Sequence, residues 1–382
     1  MDIVETSAWP FEARASVDGW MIASSFGARR FDADDAAPVL LFPSADVLID
    51  GTPLPDGAVL AGTPEGWVAF DPDAVLIELV DAPPDADPRD VTVKRFPTWG
   101  DAADLVRIMD VRPIADNGSA CYGGVVRGGQ GRSIVEGSQL LGQSIIAACR
   151  EIPGRRVVSA SMVFMRVVDD RVAYVFEVER LSAGRTFSTL AVHVVQHDRR
   201  AASALVLLGV PAPDVIRHDP GRPDVPGPDA SEPYDMSVTG RDLRVVGGTY
   251  SDLGPGPLGP PSIDAWVRFR ELPDDPALHV GLATQFTGHM SIAAALRPHG
   301  IGQEQAHRTL TTGPLAINVS FHADVRADRW LLYRHLATVA GEGMTHAECR
   351  IHDEAGALVA SFTVDAMVKG FESTPMDARR AL

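Results

Sequence analysis

Gly137, Ser138, Gln139 and Gln143 open the stretch VEGSQLLGQSIIAACRE, residues 135–151, and their types suit chemistry at a carbonyl. A helix entered through a Glu-Gly-Ser turn leaves its first backbone N–H groups without intrahelical partners, and such groups polarise a carbonyl oxygen. Gln139 and Gln143 lie one turn apart, so their amides share a face that either contacts a ligand or lines the helix. His289 is the second candidate, because an imidazole titrates near neutral pH and acts as a base when an acid orients it. It sits among Phe286, Met290 and Ile292, where the plainer reading is a hydrogen-bonded core histidine.

Other chemistries find less support. His193 and His197 share a strand face with no third ligand near in sequence, and His346, Cys349 and His352 have no ligand spacing, so no metal is expected. No GxSxG nucleophile elbow occurs. The glycine-rich run Gly123–Gly131 lacks the strand-to-helix spacing and the Gly-Lys-Ser/Thr of a phosphate loop, so no nucleotide cofactor is expected either.

The elements that must position these residues follow from periodicity. Leu140, Leu141, Ile145, Ile146 and Cys149 fall near helical spacing, while Gly137, Ser138, Gly142, Ser144, Ala147 and Ala148 keep the rod slim enough to lie close against a sheet. Residues 157–211 then run as β-branched and apolar segments broken at Asp169-Asp170, Ala183-Gly184 and His197-Asp198. A slim helix followed by a sheet that wraps it is the plan of a hotdog. The pattern repeats later: strands at Leu243–Val246 and Ala265–Phe269, one helix from Pro276 to about Leu296 stopped by Pro298 and Gly300, then strands at Leu315–Phe321, Trp330–Ala337, Thr345–Ile351 and Leu358–Val368.

The expected organisation is therefore α+β, a double hotdog. Residues 1–100 form a β-rich extension, 101–212 a first unit, 213–240 a Pro/Asp-rich linker, and 241–382 a second unit and tail. Fusing two units closes the open sheet edge of each. The extension carries short strand-like runs punctuated by Asp50-Gly51 and Asp56-Gly57.

A formal net charge of −17 without any basic cluster argues against nucleic-acid binding. Three widely spaced cysteines (Cys121, Cys149, Cys349) argue for a reducing compartment, and no apolar run reaches the roughly 18 residues of a membrane span. With no secretory signal read at the start, a cytoplasmic protein is expected.

Several phrases carry a family resemblance. Gly137-Ser138-Gln139-Leu140-Leu141-Gly142-Gln143-Ser144 resembles the Gly-Gly-Gln-x-x-(Ala/Gly)-Gln-(Ala/Ser) helix start of the type II acyl-CoA thioesterases, and residues 178–192 resemble that family's strand–turn–strand phrase. Leu272–Pro276, Ala295–Gly300, Trp330–Tyr333 and Leu358–Ser361 match in the family's order, so the likeness spans about residues 104–370. It implies an acyl-CoA or acyl-carrier thioester as substrate, no cofactor, and a homo-oligomer. In the resembled family an Asp, a Ser/Thr and a Gln of the second unit orient water.

None of the three is matched. Counting along the phrases puts the Asp position at Gly288, the Ser/Thr position at Pro314 and the Gln position at Val364. The neighbours His289, Thr312 and Asp365 are then the candidates for a rebuilt catalytic set, with Gly137, Ser138, Gln139 and Gln143 as substrate-binding candidates. A one-residue offset on a strand turns a side chain to the other face, so Asp365 faces either the site or the outside. Three functions stay open: a thioester hydrolase, a hydratase or dehydratase using His289 as base, and a non-catalytic acyl-CoA-binding protein.

Overall fold

The computed structural model describes residues 100–370 except 115–119, 125–133, 170–173, 198, 235, 237, 249–258 and 307–308, and before residue 100 the backbone of short strands alone. The glycine-rich run from 125 onward and the Asp50-Gly51 and Asp56-Gly57 turns lie outside the described residues. Of the extension, the strands expected near 39–80 are present, and an antiparallel trio (Phe11–Ser16, Gly19–Ser24, Gly27–Asp32) was not expected.

From residue 100 the strands are β1 (Arg112–Ile114), β2 (Ala120–Gly124), β3 (Arg156–Phe164), β4 (Tyr174–Ala183), β5 (Phe187–Gln196), β6 (Arg199–Gly209) and β7 (Glu232–Pro233). They continue as β8 (Arg241–Val245), β9 (Ser262–Phe269), β10 (Leu310–Phe321), β11 (Leu331–Gly341), β12 (Met344–Asp353) and β13 (Leu358–Gly370). All thirteen join one antiparallel sheet in the order β1-β2-β4-β5-β6-β3-β10-β13-β12-β11-β9-β8-β7. β3 and β10 form the seam between its halves, in register from Ser159↔Ser320 to Val163↔Ala316. Pro233 sits on the outermost strand, where a missing N–H costs no ladder bond.

The helices are α1 (Ala102–Met109), α2 (Gly137–Glu151), α3 (Pro276–Gln285) and α4 (Ser291–Leu296). Asp101 caps α1 by accepting from the Asp104 N–H at 2.8 Å, which settles as helix a segment whose periodicity fits either element. α2 is buried from Ser138 to Ala148, as its small residues require. It runs antiparallel to α3, each in its own half of the sheet. At the α2 C-terminus Arg150 reaches Asp275, the cap of α3, at 2.5 Å and Asp110 at 3.0 Å. At mid-helix Gly142 meets Gly281 backbone to backbone: a methyl added at 142 would lie 2.5 Å from the Gly281 carbonyl oxygen. Two helices side by side, each wrapped by half of a continuous sheet, make a double hotdog.

The single helix expected from Pro276 to Leu296 is broken. α3 stops at Gln285, residues Phe286–Gly288 form a 3-10 turn, His289 is extended (φ −89°, ψ 158°), and Met290 is left-handed at φ 62° before α4 begins. A non-glycine residue at positive φ is uncommon and recurs at functional sites. β10 has a related irregularity, its register with β13 shifting between Pro314 and Ala316, where Pro314 cannot donate to the ladder.

Candidate functional site

The break in the second helix lies against the N-terminus of α2. Glu136 is the residue that caps α2, yet its side chain makes no capping bond and turns instead toward the break. Gln285, the last residue of α3, donates from Nε2 to Glu136 Oε2 at 3.1 Å and approaches His289 Nε2 at 3.0 Å. Its Oε1 accepts from Arg241 Nη1 on β8 at 3.5 Å. With a guanidinium on one side and a carboxylate on the other, the amide has one sensible orientation. His289 Nε2 then accepts, which places the ring proton on Nδ1.

Burial governs the electrostatics. It pushes His289 down to about 4, against the pull of the Glu136 carboxylate 3.4 Å away, so the imidazole is neutral at pH 7. Arg241 is wholly buried and burial lowers it to about 10. Its guanidinium lies 5.2 Å from the Phe286 ring centre, and its Nη2 approaches the Met236 sulfur at 3.5 Å. Glu136 is the carboxylate whose charge reaches it. The arrangement is a carboxylate, an amide and a buried guanidinium in line, with an imidazole beside the amide. Behind it, Ser291 Oγ, His335 Nδ1 and Cys349 Sγ cluster fully buried, Ser291 to His335 at 3.0 Å, and burial pushes His335 down to about 3.

Stability should follow pH accordingly. His289 and His335 stay neutral when folded but titrate near the ordinary 6.5 in the unfolded chain, which therefore binds more protons below that pH. Stability lost as the pH falls from about 6.5 toward 4 should be on the order of 1 kcal/mol per pH unit for each histidine. Urea-unfolding midpoints at pH 7.5, 6.5 and 5 measure this; equal midpoints would contradict the neutral assignments.

Two of the three family positions come together at the start of α2 although their side chains have changed. A methyl on Gly288 would lie 2.3 Å from Ser138 Oγ, and one on Gly137 would lie 2.9 Å from Pro314 Cγ and 2.8 Å from the Phe164 ring. Gly288 and Pro314 thus both abut the α2 N-terminus. Val364 is buried on the helix-facing side of β13.

Of the catalytic candidates, His289 is in this cluster. Thr312 is buried on β10, two residues before Pro314. Asp365 is not brought together with His289: next to buried Val364 on β13, it faces out of the sheet and pairs with His346 at 2.6 Å. Of the binding candidates, Gly137 and Ser138 border the cluster. Gln139 and Gln143 are fully buried, Tyr174 Oη donating to Gln143 Oε1 at 2.9 Å and Gln143 Nε2 to the Ile108 carbonyl at 2.6 Å, so their shared face lines the helix. Glu136, Gln285 and Arg241 were not foreseen. Glu136 is discernible as an acid just before a helix N-terminus, but nothing in sequence marks an arginine as buried.

A double hotdog with a carboxylate, an amide and a neutral imidazole at the start of its first central helix has the makings of an acid–base enzyme. Comparison with known proteins is consistent with this class. The acyl-CoA thioesterase N-terminal domain model matches residues 127–209 and the C-terminal domain model residues 213–368. Together they take in well over half of the sequence, and the chain belongs to the acyl-CoA thioesterase family. Human acyl-coenzyme A thioesterase 8 is 24% identical over 260 residues, 61% of this chain and 80% of that protein. Acyl-CoA thioesterase 2 of Haemophilus influenzae is 23% identical over 253 residues, 62% and 87% of the two chains. Among solved structures, acyl-CoA thioesterase II TesB2 from Mycobacterium marinum superposes with a TM-score of 0.58 at 26% identity, covering 70% of this chain and 99% of its own. A hot dog-fold protein from Alicyclobacillus acidocaldarius reaches 0.57 at 16%, covering 70% and 98%.

Proposed function

We propose that this chain hydrolyses an acyl-CoA thioester to a free acid and thiol, with Glu136 as general base. The observation that carries the reading is the Glu136–Gln285–His289 cluster at the N-terminus of α2, which Gly288 and Pro314 also adjoin. Water attacks the thioester carbonyl while the Glu136 carboxylate takes its proton, and the first N–H groups of α2 stabilise the oxyanion. Collapse breaks the C–S bond, and the proton held by Glu136 passes to the departing thiolate. Gln285, oriented by Arg241, positions the carboxylate, and neutral His289 completes the wall of the site. Thr312 belongs to the supporting strand, and Asp365 has no part in this scheme.

An acid and a histidine side by side would also serve a hydratase, so product identity decides between them. The test is the purified chain on short-, medium- and long-chain acyl-CoAs. Free thiol released well above the spontaneous rate is expected. Addition of water to an enoyl-CoA without thiol release would favour the hydratase. Binding without either product would leave an acyl-CoA-binding protein.

The reading places the work in the cytoplasm, in keeping with free Cys149 and Cys349. It also takes the functional form as a homo-oligomer, since Val163 and Leu205, each 54% exposed, put apolar surface on neighbouring strands near the seam. Among the described residues no helix is long and apolar enough to cross a membrane.

A further inference from the structure

The linker between the two units walls off a groove on the outside of the second half-sheet. Asp219 Oδ2 accepts from the Leu358 N–H at 2.8 Å, at the start of β13, and the Pro226 carbonyl accepts from Trp266 Nε1 on β9 at 2.9 Å. Residues 219–226 are thus tied down at both ends, with Arg222 lying over the Trp266 ring at 5.3 Å. Between this strap and strands β10–β13 lies a groove of about 880 Å³, the size of a small-ligand site. On β12 Cys349 points inward to Ser291 of α4, so its neighbours Glu348 and Arg350 point outward into the groove.

The groove floor holds charges in an unfavourable place. Strand register sets Asp264, Arg334, Arg350, Ser361 and Ser320 side by side across β9, β11, β12, β13 and β10. Arg334 and Arg350 are direct cross-strand neighbours, with Cβ atoms about 5 Å apart, and like charges so placed destabilise a sheet. Asp264 answers one of them only, 3.7 Å from Arg334 Nε, and burial shifts its carboxyl upward. Arg334 stays 41% exposed beside it, and Arg350 is exposed with no ion pair among the described residues. Arg222 of the strap lines the same groove, and the one carboxylate among the lining residues is Glu348. Three guanidiniums around one hollow, in a chain of net charge −17, give a local attraction for an anion.

We infer that this groove binds the phosphate groups of a nucleotide, a phosphate bridging Arg334 and Arg350 while Arg222 closes on it from the strap. A bound phosphate turns the costly arginine pair into two charge-assisted hydrogen-bond donors. Beyond the arginines the lining continues as Ser361, Ser320, Asn318 and Thr363, hydroxyls and an amide that suit ribose and base, and the volume exceeds what phosphate alone fills. The nucleotide is either free or the phosphorylated adenosine end of coenzyme A, since the recognition chemistry is the same. The groove faces away from the central helices and from Glu136, so the inference does not depend on the thioester-hydrolase reading.

The test is calorimetric titration and thermal unfolding of the full chain at low salt, with ADP, coenzyme A, inorganic pyrophosphate and adenosine as probes. ADP should bind and raise Tm, and adenosine, which lacks phosphate, should do neither. Arg350→Gln should weaken ADP binding about 10-fold or more, the worth of a charge-assisted hydrogen bond. Arg350→Lys, which keeps the charge but not the planar fork, should fall between. Without ligand, Arg350→Gln should hold or raise Tm, because it removes one of two opposed like charges. Coenzyme A weakened in parallel with ADP would place its adenosine end in the groove; coenzyme A unaffected while ADP is lost would assign the groove to a free nucleotide. Binding of neither ADP nor coenzyme A, affinities unmoved by Arg350→Gln, or a lower ligand-free Tm in that variant would overturn the inference. Pyrophosphate binding as tightly as ADP would overturn it too, leaving a patch for an adventitious ion only. A wild type that releases no thiol would overturn the hydrolase reading alone.

Discussion

Glu136→Gln should lower thiol release from an acyl-CoA by about 10²–10⁴-fold, the usual worth of a positioned general base. The substitution keeps size and shape and still accepts the hydrogen bond that Gln285 Nε2 donates at 3.1 Å, so the neighbouring geometry survives. What it removes is the capacity to take a proton from water. The loss should fall on kcat, equivalent to roughly 3–5 kcal/mol of transition-state stabilisation, while KM moves little. Stability should change by about 1 kcal/mol or less, because Glu136 is 40% exposed and separated from Arg241 by the Gln285 amide. Steady-state kinetics with denaturation of the same preparation measures both quantities. A variant that keeps more than a tenth of the wild-type kcat would show that the proton is taken elsewhere.

Gly142→Val should cost the fold about 3 kcal/mol, the upper end of what overpacking costs. The first added carbon would lie 2.5 Å from the Gly281 carbonyl oxygen and 2.6 Å from Met109 Cε. Met109 can swing its terminal methyl aside, but a backbone carbonyl inside a helix cannot move without its helix. α2 and α3 must therefore part, and the spread reaches the site, since Glu136 rides on one side and Gln285 and His289 on the other. Gly142→Ala meets the same carbonyl, and its gain of up to about 1 kcal/mol in helix propensity does not offset that contact. Gly281→Ala gives the contrast. Its methyl meets Ile146 at Cδ1 (2.4 Å) and Cγ1 (2.8 Å) but stays 3.3 Å from the Gly142 carbonyl oxygen, so the clash is with a side chain rather than a backbone and it should be the mildest of the three. Urea unfolding ranks them; equal stability of Gly142→Val and wild type would mean the helices do not cross as described.

Much of the architecture was readable along the chain because it depends on local spacing. The small and apolar residues of 137–151 specify a helix thin enough to be enclosed, and alternation with turn residues specifies the strands around it. The family phrases marked the α2 N-terminus as a candidate site. Local spacing could not say where a side chain points once an element departs from its ideal period. His289 read as one residue of a long helix, yet the turn at Phe286–Gly288 and the left-handed Met290 lift it out and aim it at Gln285. Asp365 was left between two faces, and the register of β13 with β12 sets it opposite His346, outside the sheet. Gln139 and Gln143 shared a face as expected, but α1 and Tyr174 cover it.

The polar line itself belongs to tertiary structure alone. Glu136 and Gln285 are 149 residues apart, and Arg241 lies on an outer strand of the second half-sheet. They meet because two helices pack antiparallel at a glycine crossing and a half-sheet folds its arginine beneath them. Composition and periodicity choose which residues make helix and strand; the closeness of those helices, enforced by the Gly142–Gly281 contact, decides which charges end up sharing a site.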